Sequence, residues 1–231
     1  MSHRLFLILL PVLGCGSTQM SIAMKRQTMK NQPPIATRMS HPMTIHGHTR
    51  DDHYFWLRDD ARQKPEVLTY LNAENAYTKS ILEPTNELQK TLYDELVGRL
   101  KKDDSSVPVR RRSYWYYTRF EAQKEYPIYC RRKGTMEATE EIILDVNALA
   151  KGHAYYAVGG LAISEDEQLL AFAEDTVSRR LYTIRVKNLT TGQIYEDAVP
   201  GTSGAMAWAA DNQTLFYVDK DDKTLRPYRV R

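Results

Sequence analysis

One segment of this chain occurs twice at a fixed spacing. Residues 162–172, AISEDEQLLAF, align with residues 207–217, AWAADNQTLFY, so that Asp166 matches Asp211 at an offset of 45 residues. Each copy leads into a second apolar run, at residues 181–186 and 227–230. A repeat of about 40–45 residues made of short strands is typical of a β-propeller blade.

The repeat is too short to close a ring. A single blade cannot bury both faces of its sheet, so a propeller is stable only when its blades pack against one another. The second copy is followed by Arg231, the last residue of the sequence, before its blade is complete. We therefore expect residues 106–231 to form an incomplete propeller with one divergent blade, one clear blade and a third that is cut short.

The divergent blade is indicated by the sequence that follows residue 113. Aromatic and β-branched residues are concentrated at residues 114–118, 126–131 and 141–146, and these residue types favour strands. Residues 188–193, NLTTGQ, predict a turn between the last strands of the next blade.

The composition argues against a nucleic-acid partner. The formal net charge is only +3, and the hydrophobic and charged fractions, 42% and 26%, are ordinary for a soluble globular protein. The densest basic runs, residues 110–112 and 131–133, have no binding motif around them. We interpret them as solvated strand ends and not as a phosphate-binding patch.

The N-terminus has the pattern of an export signal. Arg4 precedes an apolar run at residues 5–13, which is too short to span a bilayer, and the run ends at Gly14 and Cys15. This arrangement resembles the bacterial lipobox, in which the cysteine is lipidated after cleavage. We expect residues 1–20 to be a signal segment, Cys15 to be the candidate lipid attachment site, and the product to be periplasmic or a membrane-anchored lipoprotein.

The alternative is translation from a later start, which would leave the protein in the cytoplasm. Met20, Met24 and Met29 all precede the recognisable domain. If Cys15 is lipidated or removed, no intramolecular disulfide can form, because the only other cysteine is Cys130. Cys130 lies in an apolar strand, so we interpret it as a buried structural thiol and not as a nucleophile.

A linker is predicted between the signal segment and the first ordered part. Residues 21–45 are polar, lack periodicity and contain two adjacent prolines, so we expect order to begin near His46. Residues 46–105 form the predicted helical N-terminal segment, and its last part, residues 101–106, predicts a linker or hinge.

Two amphipathic helices are predicted in the helical segment. The first begins at Pro65 and ends before Pro84, and the second is capped by Thr85 or Asn86. Their apolar residues recur at helical spacing, and the local chain is too short to cover them. We therefore expect both helices to dock on another domain.

Several segments resemble one family of enzymes. Residues 51–60, DDHYFWLRDD, and residues 66–77, EVLTYLNAENAY, are similar to the N-terminal signature of the prolyl oligopeptidase family of serine peptidases. YYTR at 116–119, YPIYCRRK at 126–133 and AEDT at 173–176 followed by RRLY resemble its oligopeptidase B branch more than the proline-specific branch. The resemblance runs from about residue 46 to the end of the chain.

The resemblance implies a fold, a reaction and partners. The fold would be mainly β, a seven-bladed-type propeller preceded by an α-helical segment that packs on a C-terminal α/β-hydrolase domain. That hydrolase domain would carry a Ser-His-Asp triad and cleave short peptides after Lys or Arg, with the propeller restricting access. The implied partners are short peptide substrates and the hydrolase domain, with no cofactor, no nucleic acid and no membrane contact beyond the possible lipid anchor. The acidic specificity residues of the family lie outside the region of resemblance.

No catalytic residue is assigned within the chain itself. A hydrolase nucleophile lies in G-x-S-x-G between a strand and a helix. The nearest segment, residues 201–205, has Ala205 in place of the second glycine. We interpret Ser203 as a residue of a loop that connects two blades.

No metal or cofactor site is assigned either. The spacing of His41, His46, His48 and His53 fits no helix face and no known zinc finger. Adjacent carboxylates in an extended chain point to opposite sides, so residues 103–104 predict a solvated hinge and not an acid–base pair. Asp166 and Asp211 recur at matching positions, which indicates a role in turns.

Other functions stay open at this point. The chain could be a stand-alone exported binding module, a non-functional gene fragment, or one of several copies that together close a ring. An open propeller exposes unpaired strand edges that invite aggregation. We therefore expect the isolated chain to be poorly soluble and to have no peptidase activity.

Overall fold

A computed structural model describes residues 32–231 of the chain. The chain divides after Arg99 into two compact units. The first unit contains a short β-hairpin and two helices, and the second consists almost entirely of antiparallel strands. No helix within residues 32–231 is long and apolar enough to cross a bilayer.

The first unit opens with a hairpin of β1 (Pro42–Ile45) and β2 (His48–Asp51). His46 and Gly47 form the two-residue turn, and both have positive φ, 54° and 78°, as a type I′ hairpin turn requires. Strand structure therefore begins before His46, inside the predicted linker, because backbone pairing with β2 holds residues 42–45.

Side chains of the first unit also hold the residues around this hairpin. Asp51 accepts hydrogen bonds from Ser40 Oγ at 3.0 Å and from the backbone N–H of His41 at 2.6 Å. Desolvation by itself raises the pKa of Asp51, but these two bonds outweigh it and the pKa is lowered. Trp56 Nε1 donates to the carbonyl oxygen of Thr37 at 2.8 Å.

Two helices follow at the predicted places. Helix α1 is Pro65–Leu82, a 3₁₀ turn covers Glu83–Thr85, and helix α2 is Asn86–Gly98. The second helix lacks the predicted side-chain cap, since the Thr85 hydroxyl donates to the carbonyl oxygen of Leu82 instead.

The apolar face of these helices is largely open. Val67 is the only buried residue of α1, and the described residues of α2 include no buried side chain. The exposed apolar side chains of α2 and of the residue following Arg99 are Leu88, Leu92, Tyr93, Leu96 and Leu100. These side chains form an apolar face that the described residues of this unit leave exposed.

Blade 1 is a four-stranded antiparallel sheet in the order β3-β4-β5-β6. Its strands are β3 (Val109–Arg111), β4 (Tyr114–Arg119), β5 (Ile128–Lys133) and β6 (Glu140–Asp145), and helix α3 (Val146–Leu149) follows. The predicted hinge is shorter than expected. Ser106 N–H donates to the Thr118 carbonyl oxygen and Phe120 N–H to that of Asp104, both at 2.8 Å, so backbone pairing attaches residues 104–106 to the sheet.

Blades 2 and 3 share one continuous sheet in the order β12-β11-β10-β9-β8-β7. Its strands are β7 (Ala157–Ile163), β8 (Leu169–Asp175), β9 (Tyr182–Asn188), β10 (Ile194–Trp208), β11 (Leu215–Lys220) and β12 (Pro227–Val230). The predicted turn at residues 188–193 connects β9 and β10, as expected.

Strand β10 belongs to both blades. Its first part pairs with β9 and its last part with β11, and Thr202 has a partner in each. Gly201 and Gly204 have φ of 73° and 85°, which lets the strand bend at irregularities in its register. The interpretation of Ser203 as a loop residue is therefore wrong: it lies between these glycines within the strand.

The core of the second unit lies between consecutive blades. Leu170 and Phe172 of β8 are fully buried against Ile143 and Leu144 of blade 1. The alternate residues of β8 face blade 3, where Ala171 and Ala173 pack with Ile184, Met206 and Trp208. The two faces of one strand thus bury two different interfaces, as the alternation of side chains along a strand allows.

The repeated aspartates form equivalent turns, as predicted. Asp166 Oδ1 accepts the backbone N–H of Gln168, and Asp211 Oδ1 accepts that of Gln213, at 3.1 and 3.0 Å. The next residue in each copy has positive φ: 61° at Glu167 and 58° at Asn212.

Candidate functional site

The first strands of blades 2 and 3 lie side by side. Trp208 Nε1 in the last part of β10 donates to the carbonyl oxygen of Ala162 in β7 at 3.0 Å. A Cβ atom placed on Gly160 of β7 would lie 2.3 Å from the Gly204 carbonyl oxygen, so these two strands are in close contact. In a propeller the blades surround a central channel, and their first strands form its wall. The candidate functional surface is therefore the wall formed by β3, β7 and the end of β10.

A largely apolar cleft of about 520 Å³ separates blade 1 from blade 2. Val109 and Tyr116 line it from blade 1, Leu161 and Ile163 line it from β7, and buried Ile143 also contributes to its lining. Because both blades have all four strands, this cleft lies between two complete blades.

Among the residues that the structure describes, one charged side chain lines this apolar cleft. Arg111 of β3 is exposed and contributes to the lining of both this cleft and the next one. Among residues 32–231, no carboxylate forms an ion pair with Arg111.

A second, smaller cleft of about 250 Å³ lies beside the first strands. Arg112 forms an ion pair with Glu165 at its rim, and Trp208 and Met206 provide apolar surface. The charge of Arg112 is therefore compensated within the fold, whereas that of Arg111 is not.

A polar cleft of about 490 Å³ lies on blade 2 beside helix α3. Glu174 accepts hydrogen bonds from the Tyr156 hydroxyl and from Arg185 Nε, each at 2.5 Å. Burial raises the pKa of Tyr156, and the bond to Glu174 raises it further. Because each carboxylate oxygen accepts a bond from another part of blade 2, Glu174 holds these parts of the blade together.

The loop at the edge of this polar cleft is held by one buried aspartate. Asp175 is 2% exposed and accepts backbone N–H bonds from Val177, Ser178 and Arg180 at 2.7 to 3.0 Å. These three bonds satisfy acceptor oxygens of a buried carboxylate.

Blade 1 carries a network of ion pairs on its other face. Glu140 binds Arg119, the Tyr117 hydroxyl and Arg132. Desolvation raises the pKa of Glu140, but these partners outweigh it and hold the pKa below its ordinary value. Bonds to Glu121 and Glu140 raise the pKa of Arg119, so the network stays charged.

The basic runs differ from their interpretation as solvated strand ends. Arg131 is 4% exposed. Its Nε binds Glu141 at 2.8 Å, its Nη1 donates to the Glu167 carbonyl oxygen at 2.7 Å, and its guanidinium lies 3.9 Å from the ring centre of Tyr114. The interpretation is therefore wrong for Arg131, because the residue bridges blades 1 and 2. The sequence offered no signal that separates it from its exposed neighbours.

The other residues considered for chemistry are placed apart from one another. His41 stacks on Phe55 with ring centres 3.8 Å apart, and His53 lies beside Asp51. In the part of the chain that the structure describes, no group of three or more potential metal ligands comes together. Asp104 is exposed and within 3.4 Å of Lys101 Nζ.

The two cysteines have different outcomes. Cys130 is a free thiol that is 1% exposed, and burial raises its pKa to about 11. The predicted burial of this thiol is therefore confirmed, and a raised pKa disfavours the reactive thiolate. Cys15, the candidate lipid attachment site, lies outside the described residues.

Comparison with known proteins identifies the family. Residues 33–231 match the family model described as prolyl oligopeptidase, N-terminal beta-propeller domain. The chain belongs to the prolyl oligopeptidase family. The predicted fold class, mainly β with a partial propeller after an α-helical segment, is confirmed by this match and by the solved structures.

Curated relatives of this prolyl oligopeptidase family member are peptidases. Dipeptidyl aminopeptidase BI of Pseudoxanthomonas mexicana is 46% identical over 215 residues, covering 86% of this chain and 30% of the relative. Protease 2 of Moraxella lacunata is 36% identical over 196 residues, covering 82% of this chain and 28% of the relative. The chain thus spans about 30% of the length of these relatives.

Solved structures agree with the predicted oligopeptidase B branch. Oligopeptidase B from Leishmania major superimposes with a TM-score of 0.79 at 35% identity, over 87% of this chain and 30% of that one. Oligopeptidase B from Trypanosoma brucei, with covalently bound antipain, superimposes with a TM-score of 0.75 at 29% identity. The match covers 86% of this chain and 30% of that one. The region shared by this family member is the N-terminal propeller part.

Proposed function

We propose that this chain is the N-terminal propeller portion of an oligopeptidase B-like serine peptidase that hydrolyses short peptides after Lys or Arg. The observation that carries the proposal is the family match over residues 33–231, together with the similarity to oligopeptidase B. In this proposal a C-terminal α/β-hydrolase domain supplies the Ser-His-Asp triad, and the propeller limits access to it.

The residues of the chain fit a role in access and not in bond cleavage. The sequence contains no G-x-S-x-G segment, and Ser203 lies in a bent strand with its hydroxyl near the backbone N–H of Ala205 at 3.3 Å. The exposed apolar face of α1 and α2 offers a docking surface for the hydrolase domain. The 231-residue chain by itself is therefore expected to be inactive.

A second candidate is a dipeptidyl aminopeptidase. The relative with 46% identity carries that name, whereas the oligopeptidase B and protease 2 relatives are 29–36% identical. The two candidates differ in what they require of the substrate. An aminopeptidase of this kind needs a free N-terminal amine two residues before the cleaved bond, and an endopeptidase does not.

The experiment sequences the gene and transcript past codon 231 and assays the complete product. Two fluorogenic substrates separate the candidates: an N-blocked Arg-Arg coumarin amide and an unblocked dipeptidyl coumarin amide. We expect the complete product to hydrolyse the blocked substrate and the purified 231-residue chain to hydrolyse neither. Turnover by the purified chain would overturn the assignment of catalysis to a second domain. A true stop with no related sequence downstream would overturn the proposal in favour of a binding module or a gene remnant.

For localisation we propose export, with Cys15 as the lipid attachment site. The support is the charged, apolar and small-residue pattern of residues 4–15. Metabolic labelling with a fatty acid tests it, with Cys15→Ser as the variant and Cys130→Ser as the matched control. Label in the wild type and in Cys130→Ser but not in Cys15→Ser is expected; an unlabelled, cytoplasmic wild type would contradict it.

A further inference from the structure

The apolar cleft between blades 1 and 2 has the features of a ligand site that the proposed function leaves unused. Val107 and Val109 on its wall are 84% and 59% exposed. Apolar surface is also contributed by Tyr116, Leu161 and Ile163, and Ser106 and Thr118 add hydroxyl groups to the lining. Apolar surface of this kind, gathered in a concave site, favours an apolar side chain as its occupant.

The lining of the cleft adds one specific charge. In antiparallel strands, paired residues lie on the same face of the sheet. Val109 pairs with Tyr116 and Arg111 with Tyr114, so Arg111 shares the face that lines the cleft. Arg110 pairs with Trp115 and lies on the opposite face.

No acidic group within the described chain neutralises Arg111. Glu165 is paired with Arg112, and Glu167 accepts a hydrogen bond from the Tyr116 hydroxyl at 3.2 Å. A planar guanidinium without a partner is suited to bind a carboxylate through two parallel hydrogen bonds. The cleft therefore combines apolar surface with an exposed guanidinium in its lining that is suited to bind a carboxylate.

We propose that this cleft binds the C-terminal residue of a short peptide, with the apolar side chain in the cleft and the terminal carboxylate on Arg111. An apolar residue that carries a free carboxylate is the peptide component that satisfies both features at once. The proposal rests on the proposed function, because that function brings short peptides to the wall formed by the first strands. The proposal adds to that function a binding site for the C-terminal end of the peptide, away from the bond that is cleaved.

The test measures peptide binding and does not depend on peptidase activity. The 231-residue chain is fused to a soluble carrier, and the carrier alone is the blank. Fluorescence anisotropy is recorded with fluorescein-labelled Gly-Gly-Gly-Phe as the free acid, as the C-terminal amide, and with Gly in place of Phe. The fused chain is first checked for a cooperative melting transition.

We expect the free acid to bind about tenfold more tightly than the amide, a ratio typical of one charge-assisted contact in a partly exposed site. Replacing Phe by Gly should weaken binding by a similar factor. Arg111→Gln should abolish the preference for the acid, and the matched control Arg110→Gln, on the other face of the same strand, should keep it. A benzophenone version of the peptide should cross-link to residues 107–116 or 161–163.

Equal binding of acid and amide, an equal loss in Arg111→Gln and Arg110→Gln, or no binding to the folded chain would overturn the proposal. A complete product that is an active peptidase but shows no acid preference would refute this site alone. A chain that prefers the acid while the complete product has no peptidase activity would refute the proposed function and leave the site.

Discussion

The backbone N–H of Asp166 donates a 2.8 Å hydrogen bond to Oδ1 of Asn212. These residues lie in the matching turns of the two repeat copies, since Asp166 corresponds to Asp211. The contact therefore joins the turn of blade 2 directly to the turn of blade 3. Asn212 has φ of 58°, a conformation that asparagine tolerates better than most residues.

Asn212→Ala should destabilise the second unit by about 2 kcal/mol, because it removes one hydrogen bond and places alanine at positive φ. Urea unfolding of the fused chain measures the change. Gln213→Ala, at an exposed neighbouring position, is the control and should have no measurable effect. Equal unfolding midpoints for the Asn212 variant and the wild type would show that the turn-to-turn contact is not stabilising.

Gly160→Ala should cost roughly 1–3 kcal/mol, because the added Cβ atom would lie 2.3 Å from the Gly204 carbonyl oxygen. The clashing atom belongs to the backbone, so the clash can be relieved only if β7 and β10 move apart. Gly98→Ala, where a Cβ atom would meet nothing within 4 Å, is the control and should leave the melting temperature unchanged or raise it slightly. A Gly160 variant as stable as the wild type would contradict the close contact of these strands.

Arg131→Met should destabilise the chain by about 2–3 kcal/mol, since it leaves the Glu167 carbonyl oxygen without its donor and breaks the pair with Glu141. Lys133→Met, an exposed position in the same strand, is the matched control. Thermal unfolding of the two variants gives the comparison. If both shift the midpoint equally, Arg131 does not bridge the blades.

Stability should fall as the pH rises from about 10 to about 12. Burial raises the pKa of Tyr116 to about 12 in the folded chain, with Glu167 adding to the shift, against about 10 for an unfolded tyrosine. The folded chain therefore holds the proton more tightly, so the contribution is complete below pH 10 and is lost through pH 12. Tyr116→Phe should reduce this slope, measured by urea unfolding at several pH values, and an unchanged slope would contradict the assignment.

Leu92→Asp should separate folding of the chain from docking. Leu92 is 48% exposed, so the variant should change the stability of the 231-residue chain by less than about 0.5 kcal/mol. In a complete product the same variant should lower stability by about 2 kcal/mol, because it buries a charge at the proposed interface with the hydrolase domain. Equal melting temperatures of the complete wild type and the complete variant would show that Leu92 does not lie in the interface with the hydrolase domain.

Local features of the sequence were sufficient to predict the elements. The prolines at 65 and 84 bound the first helix as expected, because proline suits a helix start and is excluded from its interior. The matching Asp166 and Asp211 predicted matching turns, because aspartate bonds to the backbone two residues on. The segments at 51–60 and 66–77 identified the family.

Arrangements that depend on distant partners were not predictable. Arg131 and Arg110 look alike in the sequence. Only Arg131 meets both a carboxylate of its own blade and a carbonyl oxygen of blade 2, and it becomes buried. Strand β10 serves blades 2 and 3 because it bends at two glycines. This could not be read from the sequence, because a turn and a bent strand have the same glycine-rich composition.

The sequence by itself determined the type and order of the elements and the family, because propensity, turn chemistry and repeat spacing act over a few residues or recur along the chain. Only the tertiary structure decided which charges are compensated. Arg112 pairs with Glu165 and Arg131 pairs with Glu141, whereas Arg111, in the lining of an apolar cleft, has no ion-pair partner within residues 32–231. The physical reason is that electrostatic compensation depends on distance in space, and strands far apart in the chain set that distance.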